Sequence, residues 1–305
     1  MRFSVKAPAS SANLGPGFDA IGLALDLWNT VTIDTDGLAG EVTSGGSEAK
    51  LLEGAQNLTV KAMKTLAREH GKMLPGFSLH AETEVPIARG LGSSAAALVA
   101  GLVAANHLLG LGLAQEELFQ LAWRIEGHGD NVGAALYGGA ILAVPGVQHA
   151  TRLWSGEDRP YTAVVFIPEA TGATWAARAA LPHEVPHADA AHNVATAAGL
   201  AVGLLTGDAE LIGAGMHDRL HEPYRARLFT HLDAVKDAAC EAGAIGACLS
   251  GAGPTVLSLV TKERVPAVIA AVEDVVRAHG VPGHVLELAP TAEGTTLVPE
   301  LAPSR

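Results

Sequence analysis

Cysteine is nearly missing from this chain: Cys240 and Cys248 are the only two in 305 residues. Two thiols make no disulfide framework, which fits a reducing, cytoplasmic setting. Positive charge is short as well, with 20 lysines and arginines against 32 aspartates and glutamates and a net charge of −12. That balance argues against nucleic acid or an anionic membrane as the main partner. Any phosphate ligand must then be held locally, by backbone N–H groups, a metal ion or a few arginines. Residues 1–6 lack the apolar core of a secretory leader. No internal repeat or low-complexity tract is present. One apolar run, 95–113, approaches membrane-spanning length. It is Ala/Gly-rich, carries Asn106 and His107 and lacks aromatic or basic flanks, so a buried core helix explains it better.

What is present is a globular composition, 49% hydrophobic and 17% charged. The length suffices for two domains. Apolar patterning predicts strands at 2–7, within 20–35, at 77–85, 137–144 and 161–168, a pair within 246–260, and a last strand at 283–287. Helical spacing predicts helices at 57–70, 93–109, 115–126, 192–205, 209–221, 228–242 and 265–279, with a short one inside 170–180. The segment 37–46 reads as a hairpin or loop, and 126–131 as a loop. Strands and helices do not alternate strictly, which points to α+β rather than a doubly wound sheet. The turn-like segment 156–160 is the candidate boundary between domains at 1–155 and 156–305.

The chemistry concentrates in Pro86-Ile87-Ala88-Arg89-Gly90-Leu91-Gly92-Ser93-Ser94-Ala95-Ala96, between a predicted strand and the apolar helix. Gly90 and Gly92 permit a tight turn and a close approach to a ligand. Ser93 and Ser94 fall where helix N-caps favour hydroxyls. Free N–H groups at such a helix start, reinforced by the helix dipole, attract anions. The stretch is therefore predicted to bind phosphate; an ordinary helix entry packed with small residues is the plain alternative. A dinucleotide loop fits poorly, because Pro86 to Arg89 separate the strand from the glycines and Glu116 and Glu117 look helical. A Walker-type loop is excluded by the absence of a following Gly-Lys-Ser/Thr.

Together with 8–25 and 249–255, this stretch resembles the three motifs of the GHMP kinases (galactokinase, homoserine kinase, mevalonate kinase, phosphomevalonate kinase). The resemblance covers nearly the whole chain. It implies a two-domain fold, with a ribosomal-protein-S5-like ATP-binding domain and a C-terminal α/β-sandwich domain. Within the family, Pro8-Ala-Ser-Ser-Ala-Asn-Leu-Gly-Pro-Gly-Phe-Asp19 and Glu126-Gly-His-Gly-Asp-Asn131 are similar to segments of the homoserine kinase branch. Gly129 departs from the proline of many members. Thr174-x-x-x-Arg178 and Glu222-Pro-Tyr-Arg225 resemble two further segments of that branch. The implied activity is ATP-dependent phosphorylation of the L-homoserine hydroxyl, a step towards threonine.

The resemblance also implies roles for residues. Backbone N–H groups of the loop 86–96 hold the ATP phosphates, and Asn57 either touches the nucleotide or simply caps a helix. Glu126 and the hydroxyl of Ser93 or Ser94 hold Mg²⁺, a cation suited to oxygen ligands. Arg178 and Arg225 are expected to bind the substrate carboxylate through guanidinium forks. Asp19 is expected to pair with its ammonium, with Asn13, His128, Asp130, Asn131, Thr174 and Gly253 completing the pocket. Asp19 is also the candidate base, unless the γ-phosphate accepts the proton itself. Another small-molecule kinase of the family and a non-catalytic ATP-binding regulator are the rival readings. The apolar helices suit either a homodimer or burial within the subunit. His183-Glu-Val-Pro-His187 matches a zinc-protease string, but Pro182 and Pro186 oppose the helix that chemistry needs. His217 and His221 are expected to be surface or packing residues.

Overall fold

A computed structural model describes residues 1–52, 57–155 and 161–299. The proposed boundary at 156–160 lies outside the described residues. Strand β1 (Arg2–Ala12) runs antiparallel to β2 (Ile21–Asp34). β1 is longer than its pattern predicts: Ser10 and Ser11, which read as turn formers, pair with Ala24 and Leu23. The ladder shifts register after Pro8, a residue with no N–H to donate. The segment predicted as hairpin or loop contains β3 (Val42–Gly45). Helix α1 (Leu58–Glu69) leads to β4 (Ser78–Thr83), to which β3 pairs in parallel.

Helix α2 (Ser93–Leu108) is apolar nearly all round, as expected of a helix packed on every side. It sits inside the core of the first half, and no helix among the described residues is long and apolar enough to cross a membrane. Helix α3 (Gln115–Glu126) is followed by α4 (Asp130–Tyr137), which the sequence reading missed. Next come β5 (Ala140–Leu142) and the unforeseen short strand β6 (Thr151–Trp154).

Strand β7 (Tyr161–Pro168) is buried along both faces, which explains its unbroken apolar run. Helices α5 (Thr174–Ala179), α6 (His187–Thr206) and α7 (Ala209–Gly215) follow. Two short corrections apply here. α6 begins five residues before the predicted start, at His187. α7 ends at Gly215 rather than at 221. Beyond it the Asp218 carboxylate accepts from the N–H groups of Leu220, His221 and Glu222, an alternative to continuing the helix. Helices α8 (Glu222–Arg225) and α9 (Leu232–Glu241) lead to β8 (Gly246–Leu249), β9 (Val256–Thr261), α10 (Val265–Ala278), β10 (Gly283–Leu288) and β11 (Thr296–Pro299).

The first sheet has the order β11-β1-β2-β4-β3, with β5 joining β2 and β6. The second is antiparallel throughout, in the order β10-β7-β9-β8. The strand at 283–287 is therefore not the last: β11 returns to pair with β1. One side of the second sheet, through Ala163, Val165 and Leu257, packs on Leu23, Leu25 and Leu91 of the first half. Its other side, through Val164 and Phe166, packs on α9 and α10. The fold is α+β, and the apolar seam between the halves fixes the loops that meet above it.

Candidate active site

A cleft opens where the two halves meet. It is lined by Pro86, Ala88 and Gly90 to Ala95 of the glycine loop, by Asn13 and Asp19, by Glu126, His128, Asp130 and Asn131, by Gly172, Thr174 and Arg178, and by Arg225 and Gly251 to Gly253. The lining thus draws on all six segments that the sequence reading singled out.

The glycine loop is held by strained backbone and close contacts. Gly90 and Gly92 have φ of 82° and 71°, in the left-handed region. Ala88 adopts φ 54° at a cost an L-residue meets only when its surroundings enforce it. Ser250 Oγ lies 2.7 Å from Gly90 O and 2.8 Å from Ser11 Oγ, tying the loop to both halves. The N-cap of α2 is Gly92, not a serine; its left-handed φ turns the chain, and Ser93 and Ser94 form the first helical turn. The first helical N–H to find an acceptor is that of Ala96, on Gly92 O. The preceding N–H groups at the helix start have no intrahelical partner, and their residues Ser93 to Ala95 line the cleft.

Not every residue named for this loop points into the cleft. Ile87, Arg89 and Ala96 are absent from its lining. The Arg89 guanidinium turns to Glu48 (2.9 Å) and to Glu169 O (3.2 Å). Glu48 also accepts from the Ile87 N–H, so it braces the loop entrance, a role nothing in its sequence surroundings signalled. Asn57 is the N-cap of α1, accepting from the Val60 N–H at 3.1 Å, and does not line the cleft.

The same cleft holds a charged cluster. Asp19, in the left-handed region at φ 57°, receives both ends of the Arg178 guanidinium, at 2.7 and 3.2 Å. Asn13 fixes this turn: its amide donates to Gly251 O (2.7 Å) and accepts from the Asp19 N–H (3.0 Å). Asp130 is 1% exposed and hydrogen-bonds His128 Nδ1 at 2.7 Å. Burial opposes the His128 charge, but the Asp130 hydrogen bond and the charges of Asp130, Glu126 and Asp19 outweigh it and raise its pKa. Burial also raises the pKa of Glu126, against the pull of His128 and Arg178. Asn131 accepts from Ser10 Oγ at 2.8 Å.

Arg225 is the largest fully buried side chain of this region, 2% exposed. Burial, helped by the charge of Arg178, pushes its pKa down to about 10. Nε donates to Ala177 O (3.3 Å), and Nη1 reaches Gly251 O (3.1 Å) and His221 Nδ1 (3.2 Å). An arginine can only donate, so Nδ1 accepts and His221 Nε2–H donates to Gly15 O at 2.7 Å. His221 is therefore a neutral packing residue, whereas His217 is exposed. His183 to Pro186 precede α6 and share no helix with His187, so the zinc-protease string has no structural counterpart.

Burial drives the His221 pKa below its usual 6.5, opposed by Asp218 and Glu222 and assisted by Arg225. Above that value the ring is neutral in both folded and unfolded chains. Below it the unfolded chain takes up a proton that the fold resists, so stability is lost as pH falls towards the depressed folded value. His231, lowered by burial, acts in the same sense, and the raised His128 acts in the opposite one. We expect the melting temperature to fall more steeply between about pH 7 and about pH 5 for the wild-type chain than for His221→Gln. Parallel slopes in thermal melts would remove His221 from this account.

Free helix-start N–H groups and paired charges in one cleft are the needs of an enzyme that moves phosphoryl groups onto small charged molecules. Residues 57–139 match the family model of the GHMP kinases N terminal domain, and 200–278 that of the GHMP kinases C terminal. The chain belongs to the GHMP kinase family and is an ATP-dependent small-molecule kinase. It is 45% identical over 282 residues to a homoserine kinase of Synechococcus sp., covering 91% of this chain and 90% of that one. To a homoserine kinase of Deinococcus radiodurans it is 41% identical over 300 residues, covering 97% and 96%. Among solved structures it is similar to a homoserine kinase of Cytophaga hutchinsonii, with 30% identity, a TM-score of 0.85 and 97% of each chain covered. An L. major mevalonate kinase, 16% identical with a TM-score of 0.70 over 95% of this chain and 96% of that one, shares the fold.

Proposed function

We propose that the chain transfers the γ-phosphoryl group of ATP to the side-chain hydroxyl of L-homoserine, giving O-phospho-L-homoserine and ADP. The observation that carries this reading is the pairing of Arg178 and Arg225 in one cleft with the glycine loop, because an acceptor without a carboxylate would not need both. Nucleotide binding falls to residues 1–155, with 156–305 supplying the two arginines and the 251–253 turn.

N–H groups of Gly90 to Ala95 hold the ATP phosphates at the start of α2, where the helix dipole favours negative charge. Mg²⁺ fits the donor set: the Glu126 carboxylate and a hydroxyl of Ser93 or Ser94 are hard oxygen ligands lining the same cleft, and the half-buried carboxylate makes no ion pair among the described residues. When bound, such a cation neutralises charge on the phosphates. The homoserine hydroxyl oxygen bonds to the γ-phosphorus while the bond to the β-phosphate oxygen breaks and ADP leaves. Asp19 has both oxygens engaged by Arg178, which favours proton transfer from the hydroxyl directly to the γ-phosphoryl oxygens. Asp19 then serves the ammonium, with Asn13, His128, Asp130, Asn131, Thr174 and Gly253 shaping the pocket.

The deciding experiment is coupled ADP release with Mg-ATP and a panel of L-homoserine, L-serine, L-threonine, mevalonate and galactose. Turnover confined to L-homoserine is the expected result. Turnover on another acceptor would keep the kinase and overturn the substrate, and nucleotide binding without any turnover would favour a regulatory protein.

A further inference from the structure

Phe18 stands in the turn between Gly17 and Asp19, in a chain with only 6 phenylalanines, and no role in recognition follows from its sequence context. In the fold it has three partners. The Arg225 Cζ lies 5.3 Å from its ring centroid and the Arg178 Cζ 5.6 Å. The His221 ring is stacked on it, with centroids 5.1 Å apart and planes 26° from parallel. Both distances to the guanidiniums fall within cation–π range. The two arginines come from different helices, α5 and α8, and their like charges repel. Among the described residues, only Arg178 of the two has a carboxylate at hydrogen-bonding distance, that of Asp19.

We propose that Phe18 is a positioning residue that gathers Arg178 and Arg225 onto one aromatic ring and so makes them a single receptor for the substrate carboxylate. The electron-rich ring offsets part of the repulsion between the two cations while the cleft is free of substrate. His221 backs the ring and, through Nδ1, orients the Arg225 fork. Asp19, the next residue, turns in the left-handed conformation to hold Arg178 from the other end. A turn of two glycines, a phenylalanine and an aspartate thus sets the positions of two arginines far away in the chain.

The inference rests on the homoserine reading, and the two fail differently. The substrate reading fails in the wild-type chain, if L-homoserine is not turned over; the role of Phe18 fails only in its variants. Steady-state kinetics would compare the full chain with Phe18→Leu, Phe18→Met and Phe18→Tyr. Leucine and methionine keep apolar bulk but remove the ring face, and tyrosine keeps it. Expected for both aliphatic variants is a KM for L-homoserine raised by roughly tenfold, with kcat and the KM for ATP within about twofold of wild type. Phe18→Tyr should restore the KM for L-homoserine to within about twofold. An unchanged KM for L-homoserine in the aliphatic variants overturns the proposal. So does an equal loss in kcat or in the KM for ATP, or the loss of a cooperative melt in both, since Phe18 would then serve packing alone.

Discussion

Arg225→Ala is expected to raise the KM for L-homoserine by roughly tenfold or more, because a hydrogen bond to a charged group contributes about 1.5–3 kcal/mol. The argument starts from burial. Arg225 is 2% exposed, and its acceptors are two carbonyl oxygens and an imidazole nitrogen, none of them charged. Nη2 hydrogen-bonds none of the described residues, which leaves one end of the fork for a ligand. A buried guanidinium without a carboxylate partner is costly, and its pKa, pushed down to about 10, expresses that cost. An incoming substrate carboxylate would relieve it, and the gain would then be realised on substrate binding. Arg225→Lys keeps the charge but not the fork, and should fall between wild type and alanine. The measurement is KM for L-homoserine at saturating ATP, with a thermal melt to confirm folding; an unchanged KM would sink the assignment.

Gly90→Ala is expected to be at least as damaging, through a different cause. At φ 82° an alanine carries a cost of about 1–2 kcal/mol in the left-handed region. Its Cβ would also fall 2.2 Å from Ser250 O, a backbone atom that cannot swing aside. The loop must then shift away from the 250–253 turn, and the N–H groups at the start of α2 lose their alignment. We expect phosphoryl transfer to fall on the order of 100-fold, since misplacement by about 1 Å can have that effect. Gly71→Ala is the control: φ is 61° and nothing lies within 4 Å of the added Cβ. It should show the dihedral cost in a melt and leave the kinetics unchanged. Wild-type ATP kinetics in Gly90→Ala would separate the loop geometry from catalysis.

How much of this was legible in the chain depends on how local each feature is. Helix α3 occupies the predicted 115–126 because its apolar spacing is regular and polar residues fill the opposite face. α4 escaped notice because it is short, contains Gly133 and lies between Gly129 and the pair Gly138 and Gly139, so its helical period is masked. β6 and β11 are too short to show alternation, and only their partners β5 and β1 define them. Ser10 and Ser11 have turn chemistry in isolation, but pairing with β2 overrides it. The residue set of the cleft was legible because its motifs are contiguous stretches. The opposition of Arg178 to Asp19, the diversion of Arg89 to Glu48 and the ring of Phe18 beneath two arginines were not, because each joins residues far apart in the chain.

The return of β11 to the outer edge of β1 has a consequence for the order of events during synthesis. β1 is made before the other strands described, yet the strand that covers its free edge follows every strand of the second sheet. As the chain leaves the ribosome, that row of backbone donors and acceptors stays open until the second half has emerged. The first sheet can therefore gather its own helices early but cannot close before the second sheet and β11 have been made. An unpaired edge is a template for wrong partners, so the interval between the making of β1 and β11 is when this chain most needs protection from its neighbours.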